Sequence, residues 1–282
     1  FIPNATSGEE GELVITNVAQ MKRLAQLSEV GLLSNVTKVT VGATIDMSDV
    51  AWTGINILPS HIVFDGGADK GYEIKGLKAP LFNTTAATVQ NLKLTDVAIV
   101  ETADVKVGAI ARSFYGTMTN CSAAGTLEMN NTEFNSTTTN KFDIINIGGL
   151  VGQAGNATFE NCENRVNVTI KSVTVPTLTT YIAVGGAIGG IHTLSSLTNV
   201  DNYGAITIDV RHEKAVYIHA AGVVGQMISY STDEANAPDV KVATQCDNHG
   251  TIQTTAETTG LGASTYAGIV ATMARGITNF SD

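Results

Sequence analysis

The 282-residue chain is 43% apolar and only 15% charged, and 26 Asp and Glu against 16 Lys and Arg leave a formal net charge of −10. So few cations exclude nucleic acid and anionic membrane as partners, since both need a basic footprint, and no run of about 18 apolar residues exists for direct membrane insertion. The abundance of Val, Ile, Thr, Asn and Gly favours strands and turns. β-Branched side chains suit a pleated surface, and Gly and Asn tolerate the positive φ of tight turns.

The first predicted element is an amphipathic helix within 13–30 (LVITNVAQMKRLAQLSEV), where Ile15, Val18, Met21, Leu24 and Leu27 recur at near-helical spacing after the candidate N-caps Thr16 and Asn17. Placed ahead of the first strand, such a helix would cover the open end of a strand stack, which otherwise exposes apolar core and unpaired edges. Strands are predicted at 36–47 and 61–67. DGGAD at 65–69 has the outline of a calcium loop but lacks the downstream Glu, and it reads equally as a turn. His61, His192, His212 and His219 share no ligand spacing, so neither a metal nor a cofactor is expected.

From residue 107 the chain repeats itself. VGAIA (107–111), GGLVG (148–152), GGAIG (185–189), AGVVG (221–225) and AGIVA (267–271) share glycine at their second position: Gly108, Gly149, Gly186, Gly222 and Gly268. A second block follows each: TNCSAAGTL (119–127), ENCENRVNV (160–168), TNVDNYGAI (198–206), TQCDNHGTI (244–252) and TNFS (278–281), with QNLKLTDVAI (90–99) as an earlier copy. A phosphate-cradling loop would occur once and would need GxGxxG or GxxxxGK[ST], so the glycines belong to a repeat and not to nucleotide chemistry. Each unit reads as three short strands. A period near 40 residues then predicts an all-β fold, a parallel β-helix solenoid with the short N-terminal helix as its cap.

In such a stack equivalent residues form ladders. The column Leu92, Cys121, Cys162, Val200, Cys246, Phe280 is expected to point inward, making the cysteines core hydrophobes rather than nucleophiles, although a disulfide between Cys121 and Cys162 in neighbouring units is geometrically conceivable. The preceding column, Asn91, Asn120, Asn161, Asn199, Gln245, Asn279, and the later set Asn164, Asn202, Asn248 predict internal amide ladders. Loops rich in Thr, Ser and Asn at 128–143, 172–181, 211–216, 229–241 and 253–265 should emerge on one side, as binding face or as solvated padding. The whole of 1–282 is expected to be one domain: 1–35 the cap, 36–106 the first coils and 107–282 the repeats. The last unit stops before its third strand, which predicts a continuation in a longer surface protein.

Two candidate columns carry chemistry. Glu163, Asp201 and Asp247 would stand one strand spacing apart, close enough to divide acid and base roles. Arg165, Tyr203 and His249, two residues on, are candidate binding groups. Asp and Asn are also ordinary turn formers, and two-carboxylate chemistry needs a shaped, partly dry cleft, so a solvated corner is the simpler reading.

The motifs "GGLVG...FENC", "GGAIG...LTNV" and "AGVVG...TQCDNHGTI" resemble the GLUG-type repeats of bacterial cell-surface proteins, and the leader "ATIDMSDVAWTGI...HIVFDGGADKGYEIKGL" (43–77) is similar to the segment that precedes them. This resemblance implies a right-handed, pectin-lyase-like β-helix on a secreted or surface-anchored protein, often of gut bacteria. It implies a non-catalytic, adhesin-like scaffold for glycan or protein partners, extracellular or on the cell surface. The alternative it leaves open is a polysaccharide-degrading lyase or hydrolase using Asp201, Asp247 and their neighbours.

Overall fold

In the computed structural model, residues 11–102, 104–130, 145–172, 180–193, 195–212, 216–228, 241–258, 264–274 and 279–281 are described. The loops expected to gather on one side lie largely outside these residues. Asn17, in extended conformation, accepts a hydrogen bond from the Gln20 backbone N–H and starts helix α1 (Val18–Glu29), which buries Met21, Leu24 and Leu27. Residues 13–15, expected in the helix, instead belong to the strand Glu12–Ile15, paired in parallel with Lys38–Val41. The switch comes at Thr16, whose N–H and hydroxyl both donate to the Gln20 side-chain oxygen, at 2.7 and 3.0 Å.

Among the described residues α1 is the one α-helix, and the rest is mostly parallel sheet. Strands one repeat apart in sequence are neighbours in space. The five-stranded sheet runs through 106–107, 145–148, 180–185, 216–221 and 264–267, and the seven-stranded sheet from 55–58 to 270–274. The fifteen-stranded sheet holds everything after the seven-stranded one in each unit, because Thr158–Ser172 runs unbroken through what sequence reading divides into two strands. The expected three strands per unit need a second correction at the glycine motif. GGLVG is no single strand: it turns a corner at Gly149–Leu150, between Ile145–Gly148 of one sheet and Val151–Ala154 of another.

Registers are kept across units. Ala111, Val151, Ile188, Val224 and Val270 are successive partners in one sheet, and Ile147, Val184 and Ala220 in another. Apolar residues along such columns fill one continuous interior, with Phe64 against Phe82 edge-on at 5.2 Å and Phe114 against Phe159 at 5.3 Å between ring centroids. Leu92, Cys121, Cys162 and Val200 lie inside it as the column predicts, all three cysteines are thiols, and Cys246 is only partly buried. The conceivable Cys121–Cys162 disulfide is not formed in this structure.

The repeated glycines have a packing reason. An added Cβ on Gly149, Gly186 or Gly222 would stand 2.2, 2.2 or 2.1 Å from the carboxamide of Asn164, Asn202 or Asn248, and 2.3, 2.0 or 2.2 Å from the next unit's carbonyl oxygen. The corner glycines and these asparagines thus face each other across the interior. Each asparagine brackets its own turn, accepting from the backbone N–H two residues on and donating to the carbonyl there. Asn164 then donates to Asn202, and Asn202 to Asn248, both at 2.8 Å. At the Gly108 level the partner slot is Ala123, in register with Asn164, so the ladder begins one unit later.

The other amide column is not internal as expected. Asn91, Asn120, Asn161, Asn199 and Gln245 all adopt φ between 49° and 54°, the left-handed conformation that asparagine tolerates, and this sharp bend swings Asn120, Asn161 and Asn199 into solvent. Their carboxamides still form a chain, Asn199 to Asn161 at 2.9 Å, Asn161 to Asn120 at 3.3 Å and Asn120 to Asn91 at 3.4 Å.

Candidate functional site

The best-developed surface feature lies on the outer face of the large sheet, beside this exposed bend. After each left-handed residue the chain resumes extended geometry, so residues two and four positions later point outward while the apolar and amide positions between them point in. Strand register then places Glu163 beside Asp201, and the Asp247 N–H donates to Asp201 Oδ1 at 3.1 Å. The carboxylate column proposed from sequence is thus brought together. Two of its members already have protein partners: Asp201 holds the neighbouring backbone, and Glu163 is ion-paired with Arg165 Nε.

Arg165, Tyr203 and His249 form a continuous stack. The Arg165 guanidinium carbon sits 4.2 Å from the Tyr203 ring centroid, and the Tyr203 and His249 rings are stacked at 4.5 Å and 16°. A guanidinium over an aromatic face is held by the ring's quadrupole, and pairing with Glu163 pushes the already high Arg165 pKa further up. Tyr203 keeps 38% of its surface exposed. The product is a rigid strip of planar groups with an acidic margin, open to solvent and not enclosed in a cleft. Its geometry suits contact with an extended partner better than general acid–base catalysis, which needs a shaped and partly dry site.

Other sequence-marked residues serve the fold. Asp65 accepts from the Gly67 N–H, the Gln90 amide and the Asn91 amide, so DGGAD is a turn and the first rung of the exposed amide chain. Burial pushes the Asp65 carboxyl up, but those hydrogen bonds outweigh it and its pKa is lowered. His61 reaches the Leu33 carbonyl. His212 lies at the end of a strand whose side chains there are outside the described set. Among the described residues no three of His, Cys, Asp and Glu come together in a way that could hold a metal ion.

Two polar clusters escaped sequence reading. Arg112 bridges Glu101 and Asp104, both at 2.7 Å, and donates to Asn83. Asn146, almost wholly buried, meets His192 Nε2 at 3.4 Å. Burial, with Lys106 nearby, lowers the His192 pKa to about 4. The usable signal was a break in the repeat: the Asn146 column reads Lys106, Asn146, Ala183, His219, Thr265, with no shared residue type.

With this geometry in hand, comparison with known proteins redirects the functional reading. Residues 63–125 match the model of the M26 IgA1-specific metallo-endopeptidase N-terminal region. No curated protein matches the sequence. Among solved structures, a Bacteroides ovatus protein assigned as an immunoglobulin A1 protease superposes over 95% of this chain and 86% of its own, with a TM-score of 0.52 and 13% sequence identity. At that identity the likeness concerns the fold. These two findings overturn the expectation of a non-catalytic adhesin-like, carbohydrate-binding scaffold, and with it the polysaccharide-degrading alternative: what this chain is similar to is proteases.

Proposed function

We propose that this chain works in proteolysis, as the β-structured N-terminal region of an IgA1-protease-like protein that holds a polypeptide substrate. The observation that carries the reading is the family match over 63–125, which spans the passage from the first turns into the repeats. The fold likeness over nearly the whole chain supports it. The described residues do not fit a catalytic metal, since they bring no ligand set together, and no hydrolytic step is derived from them. The part assigned to them is recognition.

In the finer architecture proposed here the parallel sheets are the walls of a right-handed β-helix with GLUG-like units. Right-handedness agrees with the strong bias of crossovers between parallel strands. The unit is one domain over 1–282, with 1–35 as cap, 36–106 as first coils and 107–282 as repeats, in a secreted or surface-exposed protein. Its partner is a protein of the immunoglobulin A1 class, and the strip Arg165–Tyr203–His249 with Asp201 and Asp247 is the contact surface.

The test offers immunoglobulin A1 to the chain, with immunoglobulin G as control, and follows both binding and fragment formation. Saturable binding selective for immunoglobulin A1 is expected, weakened about tenfold or more by Tyr203→Ala, the size of effect that loss of a central aromatic contact produces. The thermal melt of the variant should be nearly unchanged. Equal binding of both immunoglobulins, or none, overturns the proposal.

A further inference from the structure

Cys121 and Cys162 fill the same inward slot in consecutive units. Register pairs Thr119 with Glu160 on one side and Ser122 with Glu163 on the other, so Cys121, in the break between strands 117–119 and 122–130, stands opposite Cys162 in strand 158–172. Strand spacing puts such residues about 4.8 Å apart, within the span of roughly 4.4–6.8 Å between Cα atoms that a disulfide accepts without backbone movement. Both are thiols, 1% and 2% exposed. Both sulfurs lean toward the preceding unit: Cys121 donates to the Val89 and Thr119 carbonyls and Cys162 to those of Met118 and Glu160, so the Cys162 sulfur reaches into the layer that holds Cys121. Cys246 is kept away from Cys162 by Val200, which occupies the slot between them in the column.

We propose that Cys121 and Cys162 are a modification site, an inter-unit disulfide that forms when the chain folds in the presence of a low-mass disulfide such as oxidised glutathione, while Cys246 stays a thiol. In the first step one protein thiolate attacks a glutathione sulfur, giving a mixed disulfide and expelling one glutathione thiolate. The second protein thiolate then attacks the protein sulfur of that mixed disulfide and expels the other. The protein loses two protons and two electrons, and the oxidant is reduced to two thiols. Access dictates the timing. In the folded molecule both sulfurs are sealed and burial, with Cys162 alongside, pushes the Cys121 thiol well up, so the native state exchanges slowly. The bond therefore forms before the two units close on one another and thereafter clips them together. This inference does not rest on the protease reading.

The experiment refolds the unfolded 282-residue chain in a glutathione redox buffer, alkylates the remaining thiols and maps the peptides without reduction. A single Cys121–Cys162 crosslink, an alkylated Cys246 and an intact mass lower by two hydrogens before alkylation are expected. The oxidised protein should melt higher than the reduced one, and Cys246→Ala should retain that difference while Cys121→Ala and Cys162→Ala abolish it. Three alkylated cysteines at equilibrium, or a crosslink that includes Cys246, overturns the proposal. The mapping uses the unaltered chain, so it decides the matter even if a cysteine variant fails to fold.

Discussion

A hydrogen atom in place of a methyl group decides whether neighbouring units can close. The Gly186 Cα faces the Gly222 carbonyl and the Asn202 carboxamide at distances that an added Cβ would reduce to 2.0 and 2.2 Å, and neither neighbour is the free end of a flexible side chain. Gly186→Ala should therefore cost about 3 kcal/mol through forced separation of backbones. The same change at Gly268, where no described residue lies within 4 Å, should stay within about 0.5 kcal/mol. Chemical denaturation of the two variants checks the contrast. Asn202→Ala should lose about 2–4 kcal/mol, because it leaves buried partners in Asn164, Asn248 and the Gly204 backbone unsatisfied together.

His192 supplies a pH signature at the same scale. Its pKa falls from 6.5 to about 4 on folding, so the unfolded chain binds a proton that the folded one refuses. The contribution is complete above pH 6.5 and is lost progressively as pH falls toward 4. Thermal melts should show that decline in the wild-type chain and a flatter profile in His192→Gln. Equal slopes in both would assign the decline to other groups.

At the scale of elements, α1 acts as a cap through one hydroxyl. Ser28 Oγ donates to the Ile57 carbonyl at 2.7 Å and accepts from the Ile57 N–H at 2.9 Å, satisfying both backbone groups of a residue on the edge strand 55–58. An uncovered edge would present these groups to any passing strand. Ser28→Ala should cost about 1–2 kcal/mol, the usual penalty for orphaned backbone groups, and hydrogen exchange at the Ile57 amide should accelerate more than at the interior strands. The helix itself was legible, since Asn17 is a strong N-cap and the periodicity of Met21, Leu24 and Leu27 is clear. That Leu13 and Ile15 belong to a strand was not, because Ile15 fits the helical spacing and the partner strand 38–41 that claims it is distant in sequence.

Across the whole molecule, stability should follow nearest-neighbour rules, with each unit resting on the one before it and the one after. Function is less directly tied to such a fold. A stack of parallel strands presents many similar outer columns, and a shared architecture says little about which of them is used. Repeat motifs describe the interior, and the interior is common to scaffolds of unrelated activity. Reading GLUG-like blocks as a sign of adhesion therefore drew a role from positions most of which build walls. The protease likeness became visible once the stretch 63–125, where the first turns pass into the repeats, and the full course of the backbone were compared.

Repeat spacing alone implies the units, the parallel ladders and the columns Glu163–Asp201–Asp247 and Arg165–Tyr203–His249, because a repeat of near-constant length forces equivalent residues into line. It could not say which of the two amide columns lies inside. The left-handed bend at Asn120, Asn161 and Asn199 turns one set of amides outward, and the glycine corners draw the other set inward; both depend on what stands across the interior. That the aromatic and guanidinium groups stack face to face came from the three-dimensional packing, because alignment along an axis fixes spacing while ring orientation is set by the neighbours.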